Sequence, residues 1–242
     1  MIAAIIQARM SSRRLPGKMM KRILHRSMLQ LLIERVCRAK QIDQVIVATS
    51  TDDSDDPIAA VCDAMNVDYY RGDLINVLDR YLQTARFYAV RTIVRITGDC
   101  VLIDPFIIDD AITAHASGVW DYTSNVQPRL CPDGLDVEVF SKEALERAAA
   151  EAKTAEEVEH VTTYMRRNLQ LFKSQSVPWR GKACPHWHWS VDRAQDLEFA
   201  RTVFNVLGQE CTAEQVVELV ENRPDIRCLM RTADGEPRVV CA

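Results

Sequence analysis

The sequence predicts an α/β fold with a mostly parallel central sheet, helices on both faces and an irregular C-terminal half. Three observations predict it. Short apolar runs alternate with helical patterns in units of about 25 residues, the rhythm of a parallel sheet with crossover helices. Helix starts carry recognisable signals, among them Ser27, Asp56-Pro57 and Asp104-Pro105. The composition, 48% hydrophobic and 26% charged over 242 residues, is that of a chain able to bury a substantial core.

Ile2 to Gln7 reads as a buried first strand ending in a loop. Ser27 can cap a helix that carries Leu29, Leu32, Ile33 and Val36 on one face. Gln44 to Ala48 is the next strand, and a polar loop leads to a helix opened by Asp56-Pro57. Val67 to Tyr70 reads as a strand; Leu78, Tyr81, Leu82 and Ala85 mark a helix. Thr92 to Ile96 is a strand, and Asp104-Pro105 opens a helix running to about Ser117.

Beyond Tyr122 the rhythm loosens. Strands are expected at Asp136 to Phe140, Lys173 to Val177 and His188 to Val191. Helices are expected after Ser141, after Thr154 and Asp192 (each opening a capping-box pattern), and from Thr212 to before Pro224. Gly208 is a plausible stop. With no repeats and no low-complexity linker, residues 1–242 read as a single domain. Its parts are a regular half (1–118), a less regular half (119–210) and a C-terminal helix and tail (211–242).

Thirty basic against thirty-four acidic residues give a net charge of −4, which argues against a dedicated nucleic-acid or anionic-membrane binder. No apolar run approaches the length of a membrane span, and the N-terminus lacks the pattern of a signal peptide. The eight cysteines are scattered without a C-x-x-C pair, so they are expected to be reduced thiols in a cytoplasmic protein.

The first loop departs from this acidic background. Ala8-Arg9-Met10-Ser11-Ser12-Arg13-Arg14-Leu15-Pro16-Gly17-Lys18 places four cations directly after the first strand. Ligands of open α/β sheets bind beyond the carboxyl ends of the strands. Arginine offers a fork to phosphate oxygens and lysine a compact charge. The loop is not a Walker motif, which needs glycine at Ser12 and Ser or Thr at Met19, and no G-x-G-x-x-G is present. A solvated basic loop is the bland alternative.

Two aspartates extend the pattern. Asp99 follows the strand ending in Ile96-Thr97, where it could ligate Mg²⁺ or simply form a Gly-Asp turn. Asp192 ends the run Trp189-Ser190-Val191 and could serve either a metal or a helix cap. Cys184-Pro185-His186-Trp187-His188 lacks a fourth ligand at zinc spacing. Trp187 and Trp189 suit a core or a dimer contact.

The runs ARMSSRRLPGK, ITGDCVLIDP, DGLDVEVF, VEHVT and WSVDRAQDLEFA, in this order, resemble the SpsF-like cytidylyltransferases of the spore coat polysaccharide type. These are relatives of the CMP-sialate and CMP-Kdo synthetases. The resemblance spans residue 2 to about residue 207. It implies a Rossmann-like nucleotidyltransferase fold that binds CTP with Mg²⁺ and forms a CMP-activated product and pyrophosphate. It also implies a homodimer.

On this resemblance Ala8, Arg9, Ser12, Arg14 and Lys18 fall on the nucleotide-binding loop, with Arg14, Lys18 and Asp99 catalytic. Thr97 falls at a cytosine contact, Asp99 on the principal magnesium ligand and Asp192 on a second carboxylate at the metal. Asp133, Asp136, Glu138 and His160 fall on the acceptor side. The sequence departs from the family pattern at Ser11, Arg13 and Val101, and none of these changes removes a chemically necessary group. The implied activity is transfer of CMP from CTP to a sugar-like or acidic small acceptor, for surface polysaccharide or glycan synthesis. Alternatives are a phosphorylated alcohol or phosphonate acceptor, or a catalytically silent nucleotide-binding subunit.

Overall fold

The computed structural model describes residues 1–232. The chain begins with strand β1 (Ile2–Gln7), the two-residue strands β2 (Arg22–Ile23) and β3 (Arg26–Ser27), and helix α1 (Met28–Val36). Strand β4 (Gln44–Ser50), helix α2 (Asp56–Met65), strand β5 (Asp68–Gly72) and helix α3 (Val77–Phe87) follow. Strand β6 (Thr92–Thr97) and helix α4 (Pro105–Ala116) complete the regular half. Each expected element of this half forms, with ends shifted by one or two residues.

The second half holds β7 (Tyr122–Ser124), β8 (Glu138–Ser141), α5 (Lys142–Glu151), α6 (Ala155–Glu159) and α7 (Thr163–Arg167). After them come β9 (Ser174–Ser176), β10 (Trp187–His188), α8 (Ala194–Leu207), α9 (Ala213–Asn222), α10 (Pro224–Arg227) and β11 (Arg231–Thr232).

A seven-stranded sheet runs in the order β5-β4-β1-β6-β8-β7-β9. The pairs of β1 with β4 and β6, and of β4 with β5, are parallel. Strand β8 is antiparallel to both β6 and β7, so the regularity breaks at the β6–β8 seam. Alternation along the strands divides the core into two layers. Ala4, Ile6, Val47, Val94 and Ile96 face α1, α2, α4, α8 and α9, while Ala3, Ile5, Ile46 and Ile93 face α3, α5 and α7.

The local signals explain most boundaries. Ser27 and Gln30 form a capping box on α1, as do Thr154 and Glu157 on α6 and Thr212 and Gln215 on α9. Asp104 caps α4 by accepting from Phe106 N (2.9 Å), and its other oxygen accepts from Ala213 N (2.6 Å), tying α9 to α4. Gly208 ends α8 at φ 80°, where a side chain would be strained.

Three expectations need correction. The capping box of α8 sits one residue later than the Asp192 pattern: Arg193 is the N-cap and Asp196 the third helical residue. The Asp192 carboxylate is drawn instead to two cations, a stronger attraction than a neutral amide offers. His188 to Val191 adds no strand to the main sheet; Trp187–His188 pairs with Arg231–Thr232. Strand β7, not expected, lies between β8 and β9, too short to show alternation.

Cys37, Cys62, Cys100, Cys131, Cys184 and Cys211 are free thiols. Cys228 is not among them, and Cys241 lies outside the described residues, as does the tail expected beyond residue 232. Among the described residues no helix is long and apolar enough to cross a membrane.

Candidate active site

A cleft of about 1020 Å³ opens where β1 and β6 end. Every residue singled out above for nucleotide, metal or acceptor lines it. Its position is the one expected of a ligand crevice at the carboxyl edge of a parallel sheet.

The loop after β1 is anchored before it is charged. Ala8 N donates to Ala48 O, and Met10 N donates to Asp55 Oδ1 at 2.6 Å. Asp55, itself buried, also accepts from Ser50. Leu15 N reaches Ser12 Oγ at 3.4 Å. The loop then turns through Gly17 at φ 66°, which sets Lys18 into a short 3-10 turn pointing into the cleft.

Lys18 Nζ donates to Asp99 Oδ2 (3.2 Å), Asp192 Oδ1 (3.1 Å) and Val191 O (2.9 Å). Arg14 Nη2 holds the other Asp192 oxygen at 2.6 Å, and Arg9 Nη2 pairs with Glu159 at 2.9 Å. Burial disfavours the Lys18 ammonium, yet the two aspartates outweigh it and raise its pKa. Burial likewise works against the Asp99 anion, but Lys18 and Thr97 hold its carboxyl below the ordinary range.

Asp99 is brought here by close packing of backbone. A Cβ on Gly98 would stand 2.7 Å from Gln7 O, so only glycine lets β6 end this close to β1. Thr97 Oγ1 donates to Asp99 Oδ1 at 2.6 Å, so its proton is spent on orienting that carboxylate. Val191 N donates to Asp99 O (2.9 Å), which delivers Asp192 to the same place without any pairing of neighbouring strands.

The other end of the cleft is acidic and paired. Gly134 adopts φ 109°, and a Cβ there would lie 2.6 Å from Ser190 N; the tight turn presses Asp133 against residues 187–190. Asp133 accepts from His188 Nδ1 (2.7 Å) and Ser190 Oγ (3.1 Å). Despite its burial these partners and Arg129 keep its carboxyl below the ordinary range. Asp136 takes both arms of Arg129 (2.6 and 2.8 Å), but burial still raises its pKa.

Glu138 is 2% exposed, and its oxygens are taken by Arg95 and Tyr122. It therefore presents Arg95 to the cleft rather than a free carboxylate. His160 is exposed at the end of α6.

Sequence reasoning missed several residues of this wall: Arg80, Arg95, Arg166, Glu159 and Ser190. Arg95 was visible as an arginine inside the apolar run Thr92 to Ile96. Among the described residues, Gln7 Oε1 and the Nε atoms of Arg80, Arg95 and Arg166 are buried without a hydrogen-bond partner. Leaving such atoms dry costs about 1–3 kcal/mol each.

A cation has two carboxylates to meet here. Among the described residues no cluster of three His, Cys, Asp or Glu side chains could hold a metal alone. Asp99 and Asp192 share one ammonium, so they already meet at a single positive charge. That donor set fits Mg²⁺, which takes one or two carboxylates and fills its shell with substrate phosphates and water.

A parallel-sheet crevice with a basic loop at one end and an acidic wall at the other defines a nucleotidyltransferase type of site. Comparisons with known proteins narrow the class. The cytidylyltransferase family model matches residues 3–231, so the chain belongs to the cytidylyltransferase family. The spore coat polysaccharide biosynthesis protein SpsF of Bacillus subtilis is 31% identical over 233 residues, 93% of this chain and 95% of that one. A 3-deoxy-manno-octulosonate cytidylyltransferase of Syntrophotalea carbinolica is 38% identical over 113 residues, 46% of this chain and 44% of its own. Among solved structures, a cytidylyltransferase from Leptospira borgpetersenii superposes with a TM-score of 0.91 at 26% identity, covering 100% of this chain and 99% of that one. A CMP-2-keto-3-deoxy-manno-octonic acid synthetase complexed with CTP has the same fold, with a TM-score of 0.66 at 15% identity over 85% and 98% of the two chains.

Proposed function

We propose that this cytidylyltransferase moves CMP from CTP to a sugar-like or acidic small acceptor, releasing pyrophosphate, in surface glycan synthesis. The observation that carries the reading is the ammonium of Lys18 shared by Asp99 and Asp192 beside Arg14, with an acid-lined pocket on the same cleft. Relatives named for spore coat polysaccharide and octulosonate chemistry support the acceptor class.

In this reading Arg9, Arg14 and Lys18 bind the triphosphate, and positioning plus charge neutralisation supply most of the rate. Lys18 leaves the aspartates for phosphate oxygens when the nucleotide enters. Asp99 and Asp192 would hold Mg²⁺, which would neutralise charge on the phosphates. Ala8, Ser12 and Thr97 border the nucleotide; Asp133, Asp136, Arg95 (through Glu138) and His160 border the acceptor. The reading includes a cytoplasmic location.

It also includes a homodimer, which rests on the resemblance alone. Trp187 and Trp189 lend it no support, because both are buried within the chain. A monomeric mass by light scattering would remove the dimer.

Titration calorimetry with CTP, UTP, ATP and GTP in Mg²⁺, followed by pyrophosphate release on a panel of acidic sugars, tests the function. Tighter ATP binding would sink the cytidylyl assignment. Turnover of phosphonates or phosphorylated alcohols alone would move the acceptor to those classes.

A further inference from the structure

The segment beyond Gly208 carries no motif, yet one of its side chains reaches toward both ends of the cleft. Arg231, on β11 and 5% exposed, forks onto Asp196: Nε to Oδ1 at 2.5 Å and Nη2 to Oδ2 at 2.7 Å. Asp196 Oδ2 in turn accepts from the backbone N–H groups of Asp192 (2.9 Å) and Arg193 (2.7 Å). The same Arg231 Nη2 lies 2.7 Å from His188 Nε2, and His188 Nδ1 lies 2.7 Å from Asp133 Oδ2.

The chemistry of these groups fixes their roles. A guanidinium has donors only, so His188 Nε2 accepts and the ring proton sits on Nδ1, where it is given to Asp133. One continuous chain therefore joins the acceptor-side carboxylate Asp133 to the backbone that carries Asp192. Its three middle members, His188, Arg231 and Asp196, are each less than a tenth exposed. Arg231 itself is not part of the cleft wall.

We propose that Arg231 is a positioning residue of the site, setting the Asp192 carboxylate beside Asp99 through Asp196 and setting Asp133 through the Nδ1–H tautomer of His188. This rests on the reading of the cleft as a site for CTP and Mg²⁺. Without Arg231, Asp196 is a buried carboxylate lacking its counter-charge, and it no longer fixes the turn at Asp192 and Arg193. The loop from Ala8 to Lys18 has its own anchors at Ala48 and Asp55 and stays in place. Loss of Arg231 thus weakens metal-dependent binding and spares the phosphate contacts.

The test is calorimetric titration of CTP into the full chain, in Mg²⁺ and in EDTA, for wild type, Arg231→Met and Arg231→Lys. Groups that orient metal ligands are commonly worth 10–100-fold, so in Mg²⁺ the Arg231→Met dissociation constant should rise about tenfold or more, while in EDTA it stays within about twofold. Arg231→Lys keeps the charge at Asp196 without the fork to His188, and should fall between. Nitrogen-15 spectra of the imidazoles, with His188 assigned from its absence in His188→Asn, should show Nδ1–H and an unprotonated, hydrogen-bonded Nε2 in wild type, and the Nε2 resonance should move in Arg231→Met while Asp133 keeps the proton on Nδ1. Equal weakening in both buffers would make Arg231 a structural staple and overturn the proposal, as would no weakening in either. An Nε2–H tautomer in wild type would overturn it too. Wild type that binds no CTP in either buffer would remove the functional reading itself, visibly and before any variant is compared.

Discussion

The two ends of the cleft use the same ion pairs in opposite ways. At the basic-loop end the two paired arginines reach solvent, the Arg14 side chain being 59% and the Arg9 side chain 40% exposed, and each rests on a carboxylate that it can leave. At the acidic end Arg95 and Glu138 are 9% and 2% exposed and pair with each other inside the sheet. In the proposed reading the first arrangement is exchangeable: a metal would take the aspartates and phosphates would take the cations. The second is fixed, because breaking a buried pair strands a charge. In that reading one end trades partners with a ligand, and the other presents a wall of set shape.

The sharpest way to break this comparison is at Asp99. Asp99→Asn removes an anionic ligand and almost no volume, so pyrophosphate release should fall below detection while the melting temperature without ligand barely moves. A large melting loss would place Asp99 with the fixed pairs. The converse holds for Glu138: Glu138→Ala should cost about 3–5 kcal/mol of stability in urea unfolding, since it leaves the buried Arg95 charge alone. Removing both partners with Arg95→Met should recover part of that loss.

At the basic loop, Lys18→Ala and Arg14→Ala should each weaken CTP binding by about 1.5–3 kcal/mol, the range of charge-assisted hydrogen bonds. Stability should separate them. Exposed Arg14 can go without a melting change, whereas losing Lys18 leaves Asp99 and Asp192 without their shared ammonium. Added Mg²⁺ should restore part of the Lys18→Ala melting temperature and do nothing for Arg14→Ala.

The smallest effect is on pH dependence. Glu138 and Asp133 have carboxyls held low by their partners, so the stability they contribute is complete above the ordinary carboxylate pKa of about 4 and lost as pH falls through their folded values. Asp136 has the opposite sign: burial raises its pKa, so its contribution is present at low pH and lost as pH rises through the folded value. Urea unfolding between pH 3 and 7 should show a shallower acid limb in Glu138→Gln. In Asp136→Asn that limb should stay while the decline on its alkaline side flattens.

The sequence by itself determined the regular half. Its strands are apolar runs buried on both faces, and its helices announce themselves through Ser27, Asp56-Pro57 and Asp104-Pro105, all local effects a single chain displays. It also marked the basic loop, since four cations in an acidic chain after a first strand are conspicuous in one dimension. Tertiary structure decided the rest. Strand β7 is a strand only because β8 and β9 flank it. Asp192 could be a helix cap or a metal ligand by its spacing, but two cations from a loop far back in the chain claim its oxygens. Glu138 looked available to a substrate, yet a buried arginine on the neighbouring strand takes it. Spacing along the chain cannot show these outcomes, because a charged side chain goes to whichever partner best offsets its desolvation, and the fold alone brings that partner near.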